Sequence, residues 1–153
     1  MQNIGVVTQT FEVRAAADLA LAGTAQTKWV PCRGARCVVF HWQATNGNAP
    51  QSEAVEGNNL VPLVTGGNGL SANNSRLLSS SVSSTLNLLG GIRQVVVPIA
   101  ADGLPIITAE GVRATMLGHA TLIITDLKCE ATVYYDSEAA MALQTPGQVV
   151  RPI

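Results

Sequence analysis

Cys32, Cys37 and His41 are residue types that bind zinc, and they fall within ten residues of each other. The spacing argues against a shared ion. Cys37 and His41 lie in one expected strand, four residues and therefore roughly 13 Å apart. Zinc–ligand bonds are only about 2.0–2.3 Å long. A turn through Arg33-Gly34-Ala35-Arg36 could set Cys32 opposite Cys37. A disulfide across it is geometrically allowed but disfavoured in a reducing compartment. The three cysteines, Cys129 included, read as small buried hydrophobes.

Nucleophilic catalysis needs a nucleophile, a base and an orienting group. Serines are plentiful and His41 and His119 are present, but there is no G-x-S-x-G elbow. His119, in Leu-Gly-His-Ala, reads as a turn or edge residue. Glu53 with Glu56, and Asp136 with Glu138, are carboxylate pairs expected in loops. Such pairs serve glycoside hydrolysis or calcium binding, yet neither follows an EF-hand pattern. Gly66-Gly67-Asn68-Gly69 lacks the Lys and Ser/Thr of a phosphate loop. Asn73-Asn74-Ser75 matches a glycosylation acceptor. Trp29 is a candidate platform for ligand stacking, whereas Trp42 alternates with Val38 and Phe40 and reads as core. Neither a catalytic set nor a metal site nor a cofactor is expected.

The elements that would position these residues are strands. Gln9–Arg14 alternates polar and apolar residues. Arg36–Thr45 is dense in β-formers on both faces and reads as a central strand. Gln94–Ile99 and Leu104–Thr108 are short β-branched runs around an Ala-Ala-Asp-Gly turn. Ala120–Asp126 reads as one strand ended by Asp126. Cys129–Tyr135 reads as another, with Cys129, Ala131, Val133 and Tyr135 on one face. Leu19–Gly23 ends either a strand or a short helix. Ser137 is a candidate N-cap for a short helix reaching Gln144. Gly- and Pro-bearing stretches at Asn46–Pro50, Thr65–Gly69, Gly90–Gly91 and Asp102–Gly103 read as the loops that separate the runs. The expectation is all-β: one domain over residues 1–153, built as an antiparallel sandwich (jelly-roll-like) or a small barrel with long loops. Residues 1–8 and 144–153 would be extended arms.

Charge is scarce. Charged residues make up 12% of the 153 residues, with nine basic and ten acidic, against a usual share near 25%. No basic run supports nucleic-acid binding. Six aromatic residues, two each of Trp, Tyr and Phe, poorly supply a single-strand or sugar-stacking surface. The N-terminal residues show no basic and apolar signal pattern, and no apolar run reaches membrane-spanning length. Synthesis in the cytoplasm and no membrane partner are therefore expected. The deficit is sharpest in Gly57–Ala101, where Arg76 and Arg93 are the only charges in 45 residues. That stretch mixes Gly, Ser and Asn with leucines. It suits a segment covered by a neighbouring subunit. The interface candidates are Leu60, Leu63, Leu70, Leu77 and Leu78, with Arg76 as a polar anchor.

The order of features resembles the small β-sandwich virion proteins of tailed bacteriophages, which include capsid decoration (cement) proteins and minor head, neck or tail components. Thr27-Lys28-Trp29-Val30-Pro31-Cys32-Arg33 leads into the strand Cys37–Gln43, and the Asn/Gly loop Thr45–Asn48 follows. Gly103-Leu104-Pro105-Ile106, Ala120–Thr125 and the strand Ala131–Tyr135 come later. The resemblance implies a non-enzymatic structural protein that assembles as a symmetric homo-oligomer with other virion proteins. A trimer is one such unit, because capsid lattices present threefold positions. No functional residues carry over, because such proteins act through surfaces. The rival readings are a carbohydrate- or receptor-binding module of a fibre or tail and, behind it, a small hydrolase or isomerase on a β-barrel, using His41 or His119 with a carboxylate.

Overall fold

Period-two alternation sets the layers of this chain. The computed structural model describes residues 7–45, 50–58, 76–82, 92–101, 104–105 and 109–142. Its strands are β1 (Val7–Leu19), β2 (Thr24–Gln26), β3 (Val30–Pro31), β4 (Cys37–Gln43), β5 (Ser52–Asn58) and β6 (Arg76–Val82). They continue with β7 (Ile92–Pro98), β8 (Ala100–Ala101), β9 (Leu104–Pro105), β10 (Gly111–Leu117) and β11 (Ile124–Tyr135), before the single-turn helix α1 (Glu138–Met141).

Two antiparallel sheets pack face to face as a sandwich rather than a barrel. One has the order β1-β11-β4-β7. The other runs β2-β10-β5-β6, with β3 also paired to β10. Strands β4, β5, β10 and β11 turn alternate residues into the shared core. Val38, Phe40 and Trp42 enter from β4, and Cys129, Ala131, Val133 and Tyr135 from β11. Val55, Val112, Ala114 and Met116 meet them from the second sheet. Register places Ala131 between Phe11 and Phe40, so a small side chain makes room for two large ones. The strand Cys37–Gln43 is central, as its composition implies, between β11 and β7.

Several boundaries differ from the sequence reading. Val7 and Thr8 are paired with Tyr135 and Tyr134, so they belong to β1 and not to an arm. Leu19–Gly23 is a strand end followed by a turn. Glu53 and Glu56 lie within β5, not in a loop. Ala120–Asp126 and Cys129–Tyr135 are not two strands. Residues 118–123 form the turn, and β11 runs unbroken from Ile124 through Asp126. It passes Asp126 by a kink with φ 52°. That kink lets both Ile124 and Leu127, three residues apart, face inward. Ser137 does cap α1, its Oγ accepting from the Ala140 N–H at 3.1 Å. Residues 46–49 of the loop expected at Asn46–Pro50 lie outside the described residues. So do the loops expected at Thr65–Gly69, Gly90–Gly91 and Asp102–Gly103, the acceptor Asn73-Asn74-Ser75, and residues 1–6 and 143–153.

Candidate functional site

The cysteine–histidine run is dispersed by the sandwich. Cys32 is buried, and its Sγ donates to the Ala109 carbonyl at 3.3 Å. Cys37 is half-buried on β4, and all three cysteines are free thiols. Burial, reinforced by the Glu110 charge, pushes the Cys32 thiol up to about 12. Burial, reinforced by Glu53, also raises Cys129. Burial raises Cys37 despite the Arg36 charge beside it. These groups therefore remain thiols near neutral pH and are poor nucleophiles. Among the described residues, no group of three or more His, Cys, Asp or Glu is placed to hold a metal ion.

The two histidines lie in unrelated places. The His119 Nδ1 accepts from the backbone N–H groups of Thr121 and Leu122 at 3.0 and 3.1 Å, organising the β10–β11 turn. That bonding leaves its proton on Nε2. His41 lies on the outer face of the first sheet, where Gln94 Nε2 bonds its Nδ1 at 3.1 Å. Register puts Glu12, Glu130, His41 and Gln94 in one row across that face.

Glu53 and Glu56 are turned to opposite faces by the pleating of β5. Glu53 points inward from β5, and Arg93 of β7 meets it across the sheets. Glu56 points outward and pairs with Arg113 at 3.0 Å. Thr115 Oγ also donates to Glu56 at 3.2 Å. Asp136 pairs with Arg36 at 3.2 Å on the surface. Glu138 sits in the first turn of α1.

Trp29 is 7% exposed, and the Arg113 guanidinium lies 4.4 Å from the centre of its ring. This chain's own cation thus occupies a ring face that a ligand would need. Trp42 is wholly buried, and so is Tyr135.

Of the interface candidates, Leu60, Leu63 and Leu70 lie outside the described residues. Arg76 begins β6 opposite Gly57. Leu77 is 62% exposed, whereas Leu78 is half-buried and packs against the core. A Cβ at Gly57 would stand 3.0 Å from the Leu78 Cδ1 and 2.9 Å from the Ala109 Cβ, so the glycine makes room for that packing.

Two features had not been singled out in the sequence. The first is the edge strand β7, where Val96 is 61% and Ile92 49% exposed. Its β-branched run Gln94–Ile99 was legible, but its edge position was not. The second is a groove of about 500 Å³ at one end of the first sheet, lined by Gln43, Thr45, Ile92, Asp126 and Lys128 with Ala16 and Ala44. Asp126 is held there from both sides. Its N–H donates to Asp18 Oδ1 at 3.0 Å, and Thr45 Oγ donates to its Oδ2 at 3.2 Å. The three-residue spacing of Ile124 and Leu127 was the available signal for that kink.

Among the described residues, no helix is long and apolar enough to cross a membrane. In comparisons with protein-family models and with curated proteins, the chain matches none.

Proposed function

We propose that this chain is a non-enzymatic structural protein that works by assembly, and that its place is on a tailed-phage virion as a capsid decoration or minor component. One observation carries the reading: large apolar side chains stand at the surface of a charge-poor sandwich while the reactive groups are engaged internally. Leu77 and Val96 are more than half exposed. The inner and outer glutamates of β5 are each tied to an arginine, and Cys32 and Cys129 are buried thiols. Burial of apolar area contributes about 25 cal/mol per Å² and needs no salt-sensitive ion pairs. The phage assignment rests on the sequence resemblance.

Sedimentation velocity across a dilution series, together with co-sedimentation on expanded, DNA-free capsid shells of a tailed phage, tests the proposal. Concentration-dependent oligomers that bind and heat-stabilise shells support it. A chain that neither self-associates nor sediments with shells overturns it.

The groove favours a second reading, a carbohydrate- or receptor-binding module. Asp126, Thr45, Gln43 and Lys128 offer acceptors and donors beside the apolar Ile92. A glycan array on the wild type and on Asp126→Asn separates the two readings. Glycan binding lost in that variant favours the module, and no binding by either protein removes it.

A further inference from the structure

Sheet edges present unpaired backbone groups, and folded proteins blunt them with bulges, interruptions, prolines or charges. Most edges of this sandwich are treated in that way. β1 has three register shifts along its ladder with β11. β6 has one against β5. β2 and β3 are short pieces that share β10. β7 is different. It pairs with β4 over seven residues, from Ile92↔Gln43 to Pro98↔Cys37, without a shift. Among the described residues it has a strand neighbour on one side only.

Its side chains are also unguarded. Ile92, Gln94 and Val96 point outward, and none carries a charge. The single charge on the strand, Arg93, points inward and is neutralised by Glu53 through contacts of 3.0–3.2 Å. An inward charge would ordinarily deter edge pairing. Here its partner removes the deterrent.

We propose that β7 is a self-association edge, and that two copies of this chain pair antiparallel through it about a twofold axis at Gln94. The choice of occupant, a second copy, rests on the assembling role proposed above and on the strand's complementarity to itself. In this register Ile92 faces the partner's Val96, Gln94 faces the partner's Gln94, and Arg93 faces the partner's Val95. These two exposed apolar side chains then cover one another on each side of the axis. The carboxamides can donate and accept across it. The two arginines stay out of register, and Pro98, which has no N–H, lies outside the pairing. The four-stranded sheets join into one eight-stranded sheet. The contact is isologous, so it operates beside any threefold arrangement.

The test uses charge at the axis. Gln94 is exposed, so Gln94→Lys and Gln94→Glu leave the core intact, and far-UV circular dichroism checks this. In either variant alone, like charges face each other directly, which opposes pairing. Each should weaken dimerisation about tenfold or more in sedimentation equilibrium. An equimolar mixture of the two should form a heterodimer with affinity near the wild type. A simple folding defect would not be rescued by mixing. A wild-type monomer, variants that remain dimeric, or a mixture that stays monomeric would each overturn the pairing. Shell binding, measured on the same samples, separates this from the virion reading: monomers that bind shells overturn the edge contact and leave that reading standing.

Discussion

Arg93 and Glu53 join the two sheets of the sandwich through one bidentate pair. The guanidinium Nε and Nη2 reach the carboxylate at 3.0–3.2 Å, with Glu53 only 3% exposed and Arg93 17% exposed in their side chains. The two partners are therefore unequal. Arg93 retains a path to water, and Glu53 does not.

That inequality predicts an asymmetric response. Arg93→Ala strands a buried carboxylate and should cost about 3–5 kcal/mol, whereas Glu53→Ala should cost less. The double variant Arg93→Met/Glu53→Met should recover most of the loss, because matched apolar groups replace the pair. Urea unfolding of the four proteins measures this. Equal losses for the two alanine variants would contradict the burial argument.

Alkali should destabilise the fold from about pH 9 upward. Unfolded cysteines titrate near 9.0 and tyrosines near 10.0. In the fold Cys32 is pushed up to about 12, and burial raises Cys129 and Tyr135 in the same direction. Between those limits the folded chain retains protons that the unfolded chain has released. Their stabilising contribution is complete below the unfolded values and is lost as pH rises through the folded ones. Each group adds a slope of about 1.4 kcal/mol per pH unit within its window. Cys32→Ala should reduce the slope, as followed by chemical denaturation between neutral and alkaline pH.

Asp126 stands at φ 52°, where a β-branched residue is strained. Asp126→Val should lose about 1–2 kcal/mol through that strain, beside its lost bond to Thr45. Asp126→Gly should lose less, because it keeps the backbone geometry. Thermal melts compare them, and equal losses would assign the effect to the side-chain bond alone.

Arg113→Ala should uncover the Trp29 ring at a cost of about 1 kcal/mol. Trp42 stays buried, so a red shift in emission with greater iodide quenching reports on Trp29. A Trp29→Phe background should abolish both changes.

The sequence made the inward faces legible wherever one strand kept a strict period of two. Cys129–Tyr135 and Cys37–Gln43 are such cases, and Trp42 fell in the core as its spacing implied. Reading failed where the period slips. At Asp126 one residue in a positive-φ conformation joins two half-strands into one, and local spacing looks like a stop. Glu53 and Glu56 looked like loop residues because charges rarely enter a core. Their true environment depends on Arg93 and Arg113, 40 and 57 residues away. Which strand lies at an edge is likewise a property of sheet order, and no local pattern encodes it.

The position of β11 has a consequence for the timing of assembly. This strand lies second in its sheet, between β1 and β4, yet among the described residues it is the last strand in the chain. Thr10 must wait for Thr132, 122 residues later, before the two hydroxyls can meet at 3.2 Å. Until Tyr135 has emerged from the ribosome, β1 has no neighbour in its sheet among the described strands, and β4 has β7 alone. Topologies dominated by such distant pairings fold in milliseconds to seconds. Two strands by themselves are only marginally stable, so a nascent chain cannot hold β7 as a finished edge. The proposed pairing of copies through β7 would thereby be postponed until each molecule is complete, which would guard a crowded polysome against premature joining.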